Sequence, residues 1–191
     1  YASDLAAALG QVPRPINWRT LPPGDLEHEL PELNGWVDWL RHTYGLPTQV
    51  IPPMWHRHPE LHWELSALHT HWLCAYDPQQ NGSAPIGWHR DFADARQRLR
   101  DWVAACGTRL DRDRPTRQTV WPGEDEAEPI EDIPITDRDQ DFVAFVIADV
   151  ERRRQIEEGH TGVTDDRGDQ QALVQPLLGA DRGLHLGGVI F

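Results

Sequence analysis

Apolar positions recur at helical spacing through four stretches of the chain and at strand spacing nowhere for long. Leu33, Val37, Leu40 and Tyr44 fall on one face of a predicted helix over residues 31–44, and Gly45 follows as a C-terminal stop. Trp36 and Trp39 flank that stripe. Residues 59–76 predict a second helix with Leu61, Leu65, Leu68, Trp72 and Tyr76 as its buried stripe. Pro59 suits its first position, and His58 falls at the cap. A third helix is expected over 92–106, capped by Asp91 and stopped by Gly107, with Phe92, Ala95, Leu99, Trp102, Val103 and Cys106 facing inward. A fourth is expected over 137–158 with Thr136 as cap and Phe142, Phe145, Val146, Val150 and Ile156 near one side.

The remainder reads as connection. Residues 3–10 predict a short helix, and the Pro-rich stretch to residue 30 an extended lead-in. Residues 79–87 form a turn-rich loop, and the Gly-rich apolar end a docking tail. The fold class is therefore mainly α: a small three-helix core over about 31–107, an acidic linker, and a C-terminal helix with an extended tail. The expected domains are 1–30 (lead-in), 31–121 (helical core), 122–136 (linker) and 137–191 (C-terminal helix and tail).

Charge sharpens this outline. The 191 residues carry a net charge of −13, which argues against nonspecific coating of DNA and against an anionic membrane surface. No apolar run approaches the ~20 residues of a membrane span, and no signal peptide pattern is present. All 18 basic residues counted as Lys+Arg are Arg. A chain without Lys excludes Schiff-base and P-loop lysine chemistry and has the codon bias of a GC-rich genome. Cys74 and Cys106 allow at most one disulfide.

The densest chemistry lies in residues 51–78, with His56, His58, His62, His69, His71, Trp55, Trp63 and Trp72. His58-Pro-Glu-Leu-His62 approaches the zincin motif, but Glu60 stands two helical steps from His58 instead of one. His62-Trp63-Glu64 lacks the Pro-Cys-x-x-Cys partner of a zinc deaminase. The remaining metal reading is zinc on His58 and His62, four residues apart, with Cys106, His89, Asp91 or His42 as a third ligand. The simpler reading makes His58 a cap and His62 a core-border residue, with no cofactor. Trp63 stands opposite the leucine stripe. With Trp55 it forms an expected aromatic patch, either covered by the acidic arm and its Phe142/Phe145 helix or open to a partner.

Residues 90–117 hold eight Arg against five Asp. Arg90, Arg96, Arg100, Arg112 and Arg114 suggest a phosphate-binding strip, while the interleaved Asp and the acidic 124–141 segment suggest pairing within the chain. Trp88-His89-Arg90-Asp91 lacks a nucleophile, so no catalytic residue is assigned.

The order Trp36…Tyr44, then residues 52–76, then Gly87 to Cys106 resembles an uncharacterised actinobacterial family found on phages, plasmids and integrated elements. The matching positions are Trp55, His58, Leu65, Leu68, Trp72, Trp88, Arg90 and Asp91, within about residues 36–115. The family places Trp88, Arg90 and Asp91 in a turn before its last helix and often has Cys and His after it. Cys106 matches, and no His follows shortly. The resemblance implies a genomic setting without an assigned chemistry. The expectation is a non-catalytic protein-binding or structural accessory protein of a mobile element or phage, cytoplasmic or virion-associated, with a protein partner or a second copy as ligand. The alternatives are a nucleic-acid-binding protein using the 90–117 strip and a metal-dependent hydrolase at His58/His62.

Overall fold

The computed structural model describes residues 13–171, with side chains described to residue 159. The expected 3–10 helix and the Gly-rich tail lie outside these residues. Helix α1 runs Pro23–Tyr44, α2 Pro59–Ala75, α3 Ala84–Cys106 and α4 Arg138–Gln171. A 3-10 turn, Trp55–Arg57, precedes α2. Two-residue strands β1 (Arg112–Asp113) and β2 (Ile133–Pro134) pair antiparallel, Arg112 opposite Pro134 and Asp113 opposite Ile133. The mainly α class is as the periodicity predicts.

Three helix starts differ from expectation. Helix α1 begins at Pro23 instead of residue 31, because its apolar stripe extends backwards through Leu26 and Leu30, both buried. Pro23 suits a first turn, and Pro31 is tolerated inside the helix on an exposed face. Helix α3 begins at Ala84 instead of residue 92. The Asn81 side chain accepts from the Ser83 amide (2.9 Å), a short turn that feeds Pro85 into the first helical turn. Asp91 is thus mid-helix and bonds His71 (3.0 Å) instead of capping. Asp137, not Thr136, caps α4: its carboxylate accepts from the Gln140 amide (2.9 Å), the geometry Asp adopts more readily than Thr.

The core is one cluster built from the inward faces of α1, α2 and α3. It includes Leu30, Leu33, Val37 and Leu40; Leu61, Leu65 and Leu68; and Trp88, Phe92, Ala95, Leu99 and Val103. Trp18 of the lead-in also enters it, its indole donating to Ser66 Oγ (2.8 Å) while its ring meets His62 at 4.2 Å. Arg153 of α4 donates to the carbonyls of Leu21 (2.6 Å) and Trp18 (2.7 Å), so the lead-in is pinned from both sides. The first compact unit ends at Arg153; the helical residues that follow belong to a second. Trp102, assigned inward from the sequence, is half exposed, because the pitch carries it beyond the Leu99–Val103 line. Ile156 is exposed as well.

Gly45 ends α1 in the left-handed region (φ 58°, ψ 41°), and the Leu46 amide reaches back to the Arg41 carbonyl (3.0 Å). Open space surrounds its Cα, so only backbone strain opposes a side chain there. Gly45→Ala is expected to cost about 1–2 kcal/mol in urea unfolding; a neutral result would show that α1 does not need this turn.

Candidate functional site

Two features stand out: a sealed polar cluster and an exposed aromatic surface. The cluster begins with His58. Its extended backbone (φ −109°, ψ 103°) starts α2, and its side chain makes no capping bond. The imidazole instead turns inward and is fully buried. Nε2 lies 2.7 Å from Asp113 Oδ1, on β1. Nδ1 lies 3.1 Å from the Thr116 hydroxyl and 3.7 Å from Glu60 Oε1, in the first turn of α2. Thr116 donates to Glu60 (2.8 Å), and Thr108 donates to Asp113 (2.8 Å). Cys106, at the end of α3, completes the group: the donor atoms of His58, Glu60 and Cys106 all lie within 4.8 Å of one another. Gly107, left-handed at φ 78°, turns the chain so that residues 108–116 return to His58.

Burial opposes charge on His58, but its hydrogen bonds to Asp113 and Cys106 outweigh it and raise the imidazole to about 10. Burial likewise opposes charge on Asp113, and the bonds from His58 and Thr108 still hold its carboxyl below the usual carboxylate value. The pair is an imidazolium–carboxylate contact in the interior.

The other histidines behave oppositely. Burial pushes His56, His62 and His69 down to about 4, so each is neutral near pH 7. His56 bonds Asp141 (2.9 Å), which Arg57 also grips (2.6 and 2.8 Å). His62 sits between Trp18 and Trp55, at ring distances of 4.2 and 5.8 Å. The i,i+4 pair His58/His62 therefore does not converge. The cap residue's extended backbone directs His58 toward β1, whereas His62 follows the helix into the aromatic core. Of the third ligands that the sequence offers, Cys106 reaches His58; Glu60 also does, because the extended backbone at His58 turns its imidazole toward the first turn of α2.

Trp55 and Trp63 do not form a joint patch. Trp55 is buried, because the 3-10 turn folds it into the core, so it offers no surface to a partner. Trp63 is 44 % exposed. Phe142 and Phe145 cover His56 instead, at 5.2 and 5.1 Å.

The arginine strip is partly consumed. Arg114 pairs with Asp132 (2.6 Å) and Arg112 with Asp111 and Asp132 (3.2 and 3.5 Å), so the acidic segment does fold back onto it. Arg96 lies over the Phe92 ring at 5.1 Å. Arg90 is exposed beside Asp91, and Arg100 is exposed.

The aromatic surface lies where the C-terminal ends of α1 and α2 meet α3. Trp39, Tyr44 and Tyr76 are 41 %, 37 % and 45 % exposed. Trp72, half-buried, bridges Trp39 and Tyr76, each at 5.3 Å. His89, exposed on α3, has both tyrosine hydroxyls 3.4 Å from its Nε2. The stripes that predicted burial for Tyr44 and Tyr76 run out onto the surface here, because both helices end beyond the core they cover.

A cleft of about 480 Å³ between α1, the 48–55 connector and the start of α4 is lined by Asp38, Arg41, His42 and Asp139 among others. One of its lining cations, Arg138, is already bonded to Asn34 and to the Pro53 carbonyl (3.2 Å). Among the described residues no helix is long and apolar enough to cross a membrane, and both cysteines are free. Comparisons with protein-family models, with curated proteins and with solved structures gave no match.

Proposed function

We propose that the protein is a non-catalytic protein-binding module whose ligand seats on the Trp39–Tyr44–Trp72–Tyr76 surface. The observation that carries this reading is the ring-to-ring contact of four aromatic side chains that stay partly exposed. Tyr and Trp are the residue types that supply most binding energy at protein interfaces, and their ordering cost here is already met by mutual packing. The chemically capable groups, His58, Asp113 and Cys106, are sealed from substrate, which supports binding over catalysis. The pairing of Arg112 and Arg114 with Asp132 favours a protein ligand over nucleic acid. The Trp/His resemblance and the Lys-free composition support a setting on an actinobacterial mobile element.

The fitting ligand is a peptide segment with an apolar or aromatic anchor, offered by a partner or a second copy. Selecting displayed random peptides on the full chain tests this. Selected peptides are expected to carry aromatic or large aliphatic anchors and to bind a Trp39→Ala/Tyr76→Ala variant about 30-fold or more weakly. Peptides that bind wild type and variant equally, with the variant's helical content intact, would rule out this surface.

A further inference from the structure

We propose that His58, Glu60 and Cys106 form a structural zinc site, with Asp113 orienting His58 from behind. This is a different donor set from the His58/His62 pair suggested by sequence, and it is independent of the binding surface. The imidazole, carboxylate and thiol come from the residue before α2, the first turn of α2 and the last residue of α3, and their donor atoms lie within 4.8 Å of one another. Nitrogen, oxygen and sulfur in one small group match the ligand preferences of zinc.

The geometry is close to what the ion needs. A tetrahedral zinc at ~2.0–2.1 Å from nitrogen and oxygen separates them by about 3.3 Å. His58 Nδ1 and Glu60 Oε1 are 3.7 Å apart, so that pair needs a few tenths of an ångström of closure, and Cys106 Sγ, within 4.8 Å of both, must approach the roughly 3.6 Å that a ~2.3 Å zinc–sulfur bond sets. Asp113 holds the opposite nitrogen, Nε2, at 2.7 Å. That fixes the tautomer with Nδ1 as ligand, the carboxylate–histidine–metal arrangement seen behind many zinc-bound histidines. The Thr116 hydroxyl, already 3.1 Å from Nδ1 and 2.8 Å from Glu60, is placed for the fourth position.

Zinc takes its imidazole and thiol ligands in their deprotonated forms, so any proton it displaces from them leaves to solvent. The ion would staple residues 106–116 to the start of α2. Arg109, Leu110, Asp111, Arg112 and Arg114 of that stretch are exposed and give it little apolar anchorage.

The test uses the full chain, stripped with chelator and titrated with zinc and with cobalt(II). Stoichiometric uptake is expected, and cobalt should give the intense near-ultraviolet band of a thiolate ligand. Cys106→Ser should abolish that band and Glu60→Gln should weaken uptake by more than the roughly 10–100-fold that loss of an outer-shell partner costs, while Cys74→Ser and His62→Gln leave both unchanged. A folded wild-type protein that takes up no zinc or cobalt overturns the proposal, because that result does not depend on any variant folding. So does uptake that survives equally in Cys106→Ser and Glu60→Gln.

Discussion

In metal-free, chelator-treated protein, Asp113→Ala is expected to destabilise the fold by about 3–5 kcal/mol, because it leaves the His58 imidazolium buried without its carboxylate. Both side chains are buried and 2.7 Å apart. Thr108, which donates to the same carboxylate, loses its acceptor too. The substitution strikes where the 108–116 return is tied to α2, so the β1–β2 ladder should loosen with it. Urea unfolding at pH 6 measures the cost; a loss below about 1 kcal/mol would show that the pair breaks even against solvent.

The same pair predicts a pH dependence whose sign follows from the two shifts. In chelator-treated protein, His58 is raised from 6.5 to about 10. Its contribution is therefore fully present below pH 6.5 and is lost as pH rises from 6.5 toward 10. Asp113 is lowered, so its contribution is present above about pH 4 and is lost as pH falls below that. The cluster stabilises most between these limits. Wild type should lose stability above pH 6.5 at a slope approaching about 1.4 kcal/mol per pH unit, and Asp113→Asn should flatten that slope. On the acid side the neutral His56, His62 and His69 add to the loss, since each gains a proton on unfolding as pH falls below 6.5.

How far such features were visible in the sequence depended on whether the cause was local. The stripes of Leu33–Leu40, Leu61–Leu68 and Phe92–Val103 were legible because helical burial repeats with a fixed period. So was the glycine stop at Gly45. Helix starts were not, because Pro23 and Pro85 read as breakers until a first turn is known to begin there. The site was legible by composition and not by pairing. His58 stood out, but whether it meets His62 or Cys106 depends on one extended residue before α2 and one left-handed glycine after α3. Asp113 gave no signal at all. It sits in an arginine-rich stretch where Asp reads as a surface counter-charge, and the β1–β2 pairing beside it joins strands separated by nineteen residues of chain. The aromatic surface was missed for the converse reason: Trp72 and Tyr76 continue the periodicity of a core stripe past the end of the core.

Trp88→Ala is expected to cost about 3–5 kcal/mol, the range for deleting a fully buried aromatic side chain. Trp88 is wholly buried on α3, stacks on Phe92 at 4.9 Å (20° between planes), and donates its indole N–H to the Leu68 carbonyl at 3.3 Å. That carbonyl belongs to α2, so one residue couples the two most closely packed helices by area and by a directed bond. Trp88→Phe keeps much of the area and loses the bond; its cost should be smaller, by the one to two kcal/mol that separates area from geometry at such a site. Trp88 also lies under the exposed rings, 6.2 Å from Tyr44 and 6.5 Å from Tyr76. Removing it takes the floor from the proposed binding surface without touching any exposed atom. Peptide binding should therefore weaken in Trp88→Ala even at temperatures where the protein stays folded. Trp63→Ala provides the contrast, since Trp63 lies 44 % exposed on the outer face of α2 and is expected to change stability by under about 1 kcal/mol. If Trp63→Ala costs as much as Trp88→Ala, the division of this helix into a core face and an outer face is wrong, and with it the placement of the aromatic surface at its end.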